Sequence, residues 1–575
     1  MSPVQPMGSS TQSRRLQRSK HAFKGWDTLS ETTSAYQHSE AGQHSEAGIV
    51  VNVPKARRLS LNAIALLTTS LLTSAAGFLI VAYIGRYLGA AAFGEYMVAY
   101  SWYFLLTPVA NLGLPSLLIR RLSRLRSPLG PFVARSQVVV FLSGTLCGLA
   151  MWIGASILGY SASTMQAIRL LAATMGLTSA LPVLQGVLIS QEKAEIVLLS
   201  GAVESIARAG TSLILIRLGY GVVWLVGAFV VSHLLSVAIC LAFLTRYGHI
   251  GWRAGEGTEF SMVWLLREAL PFAGIAWLNV AYWRIGLLIL SQIHGEVAVG
   301  VYSAANKLFQ ILQFVPESIL TAFLPRLSRG FVRARPAFEN LVELGLRYLL
   351  VASILPALLM TFAARPVLRF TYHLAAFQEA TLVLYILAWA LLPYAARRFL
   401  VRLMMAANWE WPLMGLLTCS TVAGLVLNVA LIQWLGALGL AIATVLNLVG
   451  TSGLLGWFVT KHLELSTRVL DWRRLSRLIL VAGVAGAIGF VLLKLGWFVA
   501  VVGCTVGYVA LALLLQPVSL EEIGLGRLSH PWRRPIVAKD EGSESTSALG
   551  REKQCTESTQ GESGVDDAGQ STRGG

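Results

Sequence analysis

The sequence predicts an all-α polytopic membrane protein with about 14 transmembrane helices. Three observations carry this. The 575 residues are 55% apolar and only 13% charged, whereas ordinary soluble chains carry about 25% charge. Apolar segments recur from residue 60 to residue 515, each near the roughly 20 helical residues that cross a bilayer core of about 30 Å. Lys and Arg cluster between these segments on alternate sides, the pattern that orients membrane helices. A soluble chain of this length would divide into several domains, each with its own charged surface. The charge here is too sparse for that, which excludes a soluble multidomain enzyme.

In chain order, residues 1–58 are polar and basic, contain no apolar run, and read as a disordered cytoplasmic tail. A tandem copy, Gln37–Gly42 followed by Gln43–Gly48, supplies His38 and His44. It reads as a duplicated piece of tail and not as a metal site. Spans are expected at about 60–84, 96–119, 135–159, 167–190, 196–216 and 221–244, making an N-terminal six-helix lobe over residues 59–247. A cytoplasmic linker covers 248–267. A second six-helix lobe, 268–460, holds spans at about 268–291, 300–324, 345–364, 380–397, 412–433 and 437–459. Two further spans, 478–494 and 496–515, and a closing segment occupy 461–526, and 527–575 reads as a second disordered cytoplasmic tail.

Orientation follows from the loops. With the N-terminus inside, the inside loops hold 22 Lys and Arg residues. Arg120, Arg121, Arg124, Arg397, Arg398 and Arg402 are among them. The outside loops hold only Arg86, Arg169, Arg217, Arg365, Arg369 and Lys494. Both termini are therefore expected inside. The net charge of +17 is a membrane-orienting charge, so no nucleic-acid partner is expected. Cys147, Cys240, Cys419 and Cys504 lie within apolar stretches, Cys555 lies in the tail, and no CxxC pair exists. Neither a metal site nor a disulfide framework is expected.

An internal repeat is visible. Gly89-Ala-Ala-Ala-Phe-Gly94-Glu-Tyr96 recurs as Gly295-Glu-Val-Ala-Val-Gly300-Val-Tyr302, and Arg121-Leu-Ser-Arg124 recurs as Arg326-Leu-Ser-Arg329. The copies open the second and eighth spans, an even shift, so both have the same orientation. Such a parallel repeat predicts two lobes related by an axis along the membrane normal, with substrate bound between them. The repeat also aligns polar stripes. Asn306, Gln310, Gln313, Glu317 and Thr321 share one face of the eighth span, and Tyr100, Thr107 and Asn111 share the matching face of the second. Asn62, Thr69 and Thr73 share a face of the first span, and Asn279 and Tyr282 lie in phase in the seventh. Within a bilayer such stripes face protein or water. They are interhelical glue or, because they repeat between lobes, the lining of a central cavity.

Ionisable groups at membrane depth are costly unless they face a cavity or a partner. Glu204 and Arg208, one turn apart on the fifth span, read as a structural ion pair. Arg284 and Lys307 are then the unpaired bases, suited to a buried anion. Glu317, on the polar stripe, is the proton-coupling candidate. His233 reads as a satisfied packing residue. No phosphate-binding loop, catalytic constellation or cofactor motif appears, so a non-enzymatic transporter without cofactors is expected.

The chain resembles the polysaccharide-biosynthesis flippases, the O-antigen and exopolysaccharide (Wzx-type) transporters of the MATE-like superfamily. Arg86-Tyr-Leu-Gly-Ala-Ala-Ala-Phe-Gly-Glu-Tyr96, Asn111-Leu-Gly-Leu-Pro115, Ala269-Leu-Pro-Phe272, Gly300-Val-Tyr-Ser-Ala-Ala-Asn-Lys307, Gly436-Ala-Leu-Gly-Leu-Ala441 and Leu520-Glu-Glu-Ile523 carry the resemblance, over about residues 59–526. It implies two MATE-like six-helix lobes plus two C-terminal helices. It implies a polyprenyl-pyrophosphate-linked oligosaccharide moved across the cytoplasmic membrane, with a polysaccharide polymerase and export machinery as further partners. Cavity cations are typical of the family, and Arg284 and Lys307 occupy matching spans. The first two spans carry none. The alternative reading is a MATE-like ion-coupled exporter of small organic cations, which should carry a cluster of intramembrane carboxylates.

Overall fold

In the computed structural model the described residues are 53–122, 130–246, 262–321, 335–372, 377–407, 409–463 and 472–514. Side chains are described over somewhat less of each segment. Asn62, Thr69 and Thr73 fall outside the described side chains, as do Arg120, Arg121, Arg124, Arg326 and Arg329. The N-terminal tail up to residue 52, the 248–267 linker up to residue 261, the closing segment with Leu520–Ile523 and the C-terminal tail lie outside the described residues, whereas 53–58, expected in the tail, belong to the first helix.

The described chain is helical throughout, without strands. Its helices are α1 Val53–Ala110, α2 Leu114–Leu122, α3 Gly130–Leu158, α4 Ala162–Thr178, α5 Ala180–Ser190, α6 Ala194–Arg217 and α7 Val222–Arg246. They continue with α8 Met262–Leu312, α9 over 314–321, α10 Arg335–Tyr372, α11 Ala380–Trp389, α12 Leu391–Ala406, α13 Glu410–Leu463, α14 Trp472–Leu492 and α15 Trp497–Leu514. Among the described residues, nine helices are long and apolar enough to cross a membrane. The count is ten if α11 and α12, bent by 45°, form one span. Length and composition therefore do not return the expected fourteen.

The difference has a physical source. α1, α8 and α13 each contain one non-helical glycine, Gly89 (φ 83), Gly295 (φ 76) and Gly436 (φ 54). Only glycine enters this region without a Cβ penalty. Across Gly436, Ser420 Oγ donates to Asn447 Oδ1 at 2.8 Å. Those residues would stand roughly 40 Å apart in a straight helix rising 1.5 Å per residue. Across Gly295, the Trp283 and Phe309 ring centroids are 6.0 Å apart. Each of these helices doubles back at its glycine and so contains two of the expected spans.

The largest apolar cluster draws on both halves of the chain, from Ile80 to Leu448, so the halves share a core. Water does not drive helices together inside a bilayer; close packing of small residues does. The repeated glycines show this. A Cβ on Gly94 would lie 1.7 Å from the Glu296 carbonyl oxygen, and one on Gly300 would lie 2.1 Å from the Ala90 carbonyl oxygen. Ala90 and Glu296 are equivalent positions of the two copies, so the contact is reciprocal. At the other end, Gly113 (φ 70) lies against Ala269 and Ala273 of α8. The halves thus meet at both ends and leave a space between.

Candidate substrate cavity

That space is a cavity of about 380 Å³. Arg208 of α6 reaches it from the N-terminal half, and Arg284, Lys307, Gln310 and Gln313 from the C-terminal half. Gly77 opens the wall on the Arg208 side, where an added Cβ would lie 3.7 Å from the guanidinium. Among the described residues, no carboxylate lines the cavity. Arg284 stacks over Phe104, 5.1 Å from the ring centroid, and Arg208 over Phe229 at 5.9 Å. Lys307 Nζ donates to Gln310 Oε1 at 3.2 Å. Aromatic faces and an amide accommodate cations without neutralising them. Three basic side chains therefore face one shared volume.

The presence of Arg208 corrects the expected ion pair. Glu204 does not bond Arg208; its Oε1 lies 2.9 Å from His233 Nδ1. His233 Nε2 donates to the Thr178 carbonyl at 3.3 Å. The contact from α7 takes the carboxylate away from its helical neighbour. His233 is thus satisfied, as the sequence suggested, and Arg208 is left to the cavity.

The other expected cavity residues separate. Asn306 and Asn111 are buried, each with an unpartnered Oδ1. Thr107 Oγ1 donates to the Tyr103 carbonyl at 2.7 Å. Asn279 and Tyr282 turn into the C-terminal half. Asn279 Oδ1 accepts from Arg397 Nη2 at 2.8 Å, Arg397 lies over the Tyr282 ring at 5.2 Å, and Tyr282 Oη donates to the Thr444 carbonyl at 2.8 Å. Sequence reasoning placed Arg397, Arg398 and Arg402 in a loop. They lie on α12, and Arg397 is only 3% exposed.

Glu317 is on α9, outside the cavity lining. Arg398 donates to it through Nε and, at 3.1 Å, through Nη2. Arg402 Nη2 lies 3.5 Å away, and Tyr394 Oη donates at 2.9 Å. The acid serves as counter-charge to α12, held by Arg398 and Arg402 of that helix.

At the glycine turns a second polar set joins the halves. Glu296 accepts from Ser161 Oγ at 3.0 Å and Thr164 Oγ1 at 2.6 Å, at the start of α4. Glu95 accepts from Ser163 Oγ. Two carboxylates at a helix N-terminus complement its dipole. Among the described residues, no group of His, Cys, Asp and Glu could hold a metal ion.

No curated protein matches the chain in sequence. Solved structures do match in fold. A lipid II flippase, MurJ, in an inward closed conformation aligns with a TM-score of 0.63 at 14% identity, covering 82% of this chain and 100% of that one. An inward-facing multidrug-resistance MATE transporter of the MOP superfamily gives 0.56 at 15%, covering 70% and 98%. A MOP-superfamily transporter from Pyrococcus furiosus gives 0.54 at 15%, covering 72% and 96%. The polysaccharide biosynthesis protein family matches residues 59–331, so the chain is a multi-pass membrane protein that carries that family's sequence over its first half and the fold of MATE transporters and a lipid II flippase.

Proposed function

We propose that the protein carries a polyprenyl-pyrophosphate-linked oligosaccharide across the cytoplasmic membrane for surface or exopolysaccharide biosynthesis, with both termini inside. One observation carries this reading: Arg208, Arg284 and Lys307 line a cavity between the halves that, among the described residues, no acid lines. Cations held at membrane depth without counter-charge are costly unless an anion arrives to compensate them. A diphosphate supplies that charge, and guanidinium groups bind phosphate oxygens strongly. The same feature disfavours export of organic cations, which the cavity would repel. The family match over residues 59–331 supports a role in glycan assembly, with a polymerase and export machinery downstream.

Loss of the protein should block export of a surface or extracellular glycan and leave its lipid-linked precursor on the cytoplasmic leaflet. Arg208→Ala, Arg284→Ala and Lys307→Ala should each lower export in a complemented strain while protein levels persist. Normal glycan in a deletion without a paralogue contradicts the reading. Heightened sensitivity to cationic dyes with intact glycan favours the exporter.

A further inference from the structure

Gln313 lines the cavity, and its carbonyl accepts from the Glu317 amide at 3.2 Å. Glu317 therefore stands one helical turn, about 6 Å, farther from the glycine turns. There α12 brings Arg398 and Arg402 onto the Glu317 carboxylate, and Tyr394 Oη donates to it at 2.9 Å. The Tyr394 ring stands edge-on to Trp283 and Phe309 of α8, with centroids 6.3 Å away in both cases. Trp283 precedes Arg284 in sequence, and Phe309 follows Lys307 by two residues. The α12 cluster is thus braced by the helix arms that supply two of the cavity bases.

The cluster holds more base than acid. Among the described residues, three guanidinium groups of α12 stand beside one carboxylate. Arg398 takes two bonds from Glu317, which leaves Arg402 a contact of 3.5 Å. Arg397 donates to the neutral Asn279, and its Nε is buried without a partner. The side chains of Arg398, Arg402 and Glu317 are 26%, 28% and 25% exposed, so a ligand can reach the arginines and the carboxylate can turn to water. A carboxylate offers guanidinium the same paired oxygens as a phosphate. A diphosphate offers more oxygens and more charge, and so matches this cluster better than Glu317 does.

We propose that Arg398 and Arg402 form a second diphosphate site, through which the lipid-linked substrate passes before it reaches the cavity, and that Glu317 is a tethered stand-in for the substrate's anionic group. This rests on the function proposed above, in whose orientation the site lies toward the cytoplasm. Guanidinium groups left bare at membrane depth are costly. With Glu317 attached they are never bare. The arriving diphosphate takes the arginines as the carboxylate leaves, and the carboxylate returns when the diphosphate moves on toward Lys307 and Arg284.

The test uses the purified full-length protein in phosphatidylcholine nanodiscs and two probes, inorganic diphosphate and a polyprenyl diphosphate, with calorimetry to count sites. The wild type should bind polyprenyl diphosphate at the cavity, and Arg284→Ala should weaken that binding. Glu317→Gln keeps an acceptor for Tyr394 and removes the competing charge. This variant should take up a second equivalent of polyprenyl diphosphate about tenfold more tightly than the wild type does, the equivalent of one hydrogen bond to a charged group. Adding Arg398→Ala and Arg402→Ala should abolish the second equivalent, whereas adding Arg284→Ala should spare it. A single equivalent in Glu317→Gln, or a second one that survives loss of both arginines, overturns the second site alone. So does a second equivalent of inorganic diphosphate without one of polyprenyl diphosphate, which would mark a site for free phosphate compounds. A wild type that binds neither probe overturns the proposed function as well. Should Glu317→Gln fail to fold, Tyr394→Phe, which loosens the same carboxylate and leaves every arginine in place, is judged by the same results.

Discussion

In the N-terminal half, the half-buried acid Glu204 turns to His233 of α7 and leaves Arg208 facing the cavity. In the C-terminal half, Glu317 turns to Arg398 and Arg402 of α12 and leaves Arg284 and Lys307 facing it. The partners differ, the helices differ, and the outcome is the same. Each half satisfies a carboxylate away from the shared space, and the space stays cationic. The glycine turns behave oppositely. Gly94 and Gly300 hold equivalent places on equivalent carbonyls. Backbone contact admits no substitute for glycine, so the turn geometry is held in both copies, while side-chain pairing has many solutions and has diverged.

The comparison can be broken at its symmetric part first. Gly94→Ala and Gly300→Ala should each destabilise the fold by at least about 3 kcal/mol, the upper range of overpacking costs, because the carbonyl in the way belongs to backbone. Folded yield and thermal unfolding in detergent measure this. Similar losses sustain the reciprocal contact, and tolerance of either variant breaks it.

Next comes the asymmetric part. His233→Ala frees Glu204 to pair with Arg208 one turn along α6, which should weaken diphosphate binding by about tenfold, roughly 1.4 kcal/mol. Adding Glu204→Gln to His233→Ala should restore binding, a coupling that a double-mutant cycle reads directly. Failure of the second change to rescue would show that Arg208 is held some other way.

Glu317→Gln keeps an acceptor for Tyr394 and removes the charge opposite Arg398 and Arg402. The expected loss is about 1–3 kcal/mol, the range for hydrogen bonds to charged groups. If the acid is only a counter-charge, residual transport keeps its pH profile. A folded variant whose transport loses its pH dependence would instead support proton coupling through Glu317.

Among the effects on stability, the smallest is expected at the turns. Gly89→Ala and Gly295→Ala meet no atom within 4 Å and add only the left-handed backbone penalty, about 1–2 kcal/mol. A small shift in the unfolding temperature with the fold intact is the expected result.

Much of the fold was legible in the sequence because hydrophobic length and glycine repeats are local properties. The apolar segments marked helices, and Gly89 and Gly295 marked turns, although helix length alone returned fewer spans once those turns merged two arms. Arg284, Lys307, Gln310 and Gln313 were found because basic and polar groups at membrane depth must face something. Arg208 was missed as a cavity residue because Glu204, its neighbour on the helix, looked like its partner. The residue that claims Glu204 is on another helix, and only the presence of His233 within an apolar span signalled a competing partner. Arg397 was assigned to a loop because charge density was read as the end of a span. The helix continues through Phe399, Leu400 and Val401, and that apolar run was the available signal. Asn279 and Tyr282 had the right phase but face Arg397, since periodicity gives a side chain's angle and not which neighbour stands there.

The hairpins that reverse within one glycine leave no spare chain at those turns. A reporter tag or protease site inserted at Gly89, Gly295 or Gly436 would force two packed arms apart, and its signal would describe a damaged protein. A cysteine at Ser161 is little better, because it removes a donor to Glu296. Sidedness is better read at Gly221, where an added side chain meets nothing within 4 Å. A thiol there should react with an impermeant reagent applied from outside without disturbing the contacts that join the halves.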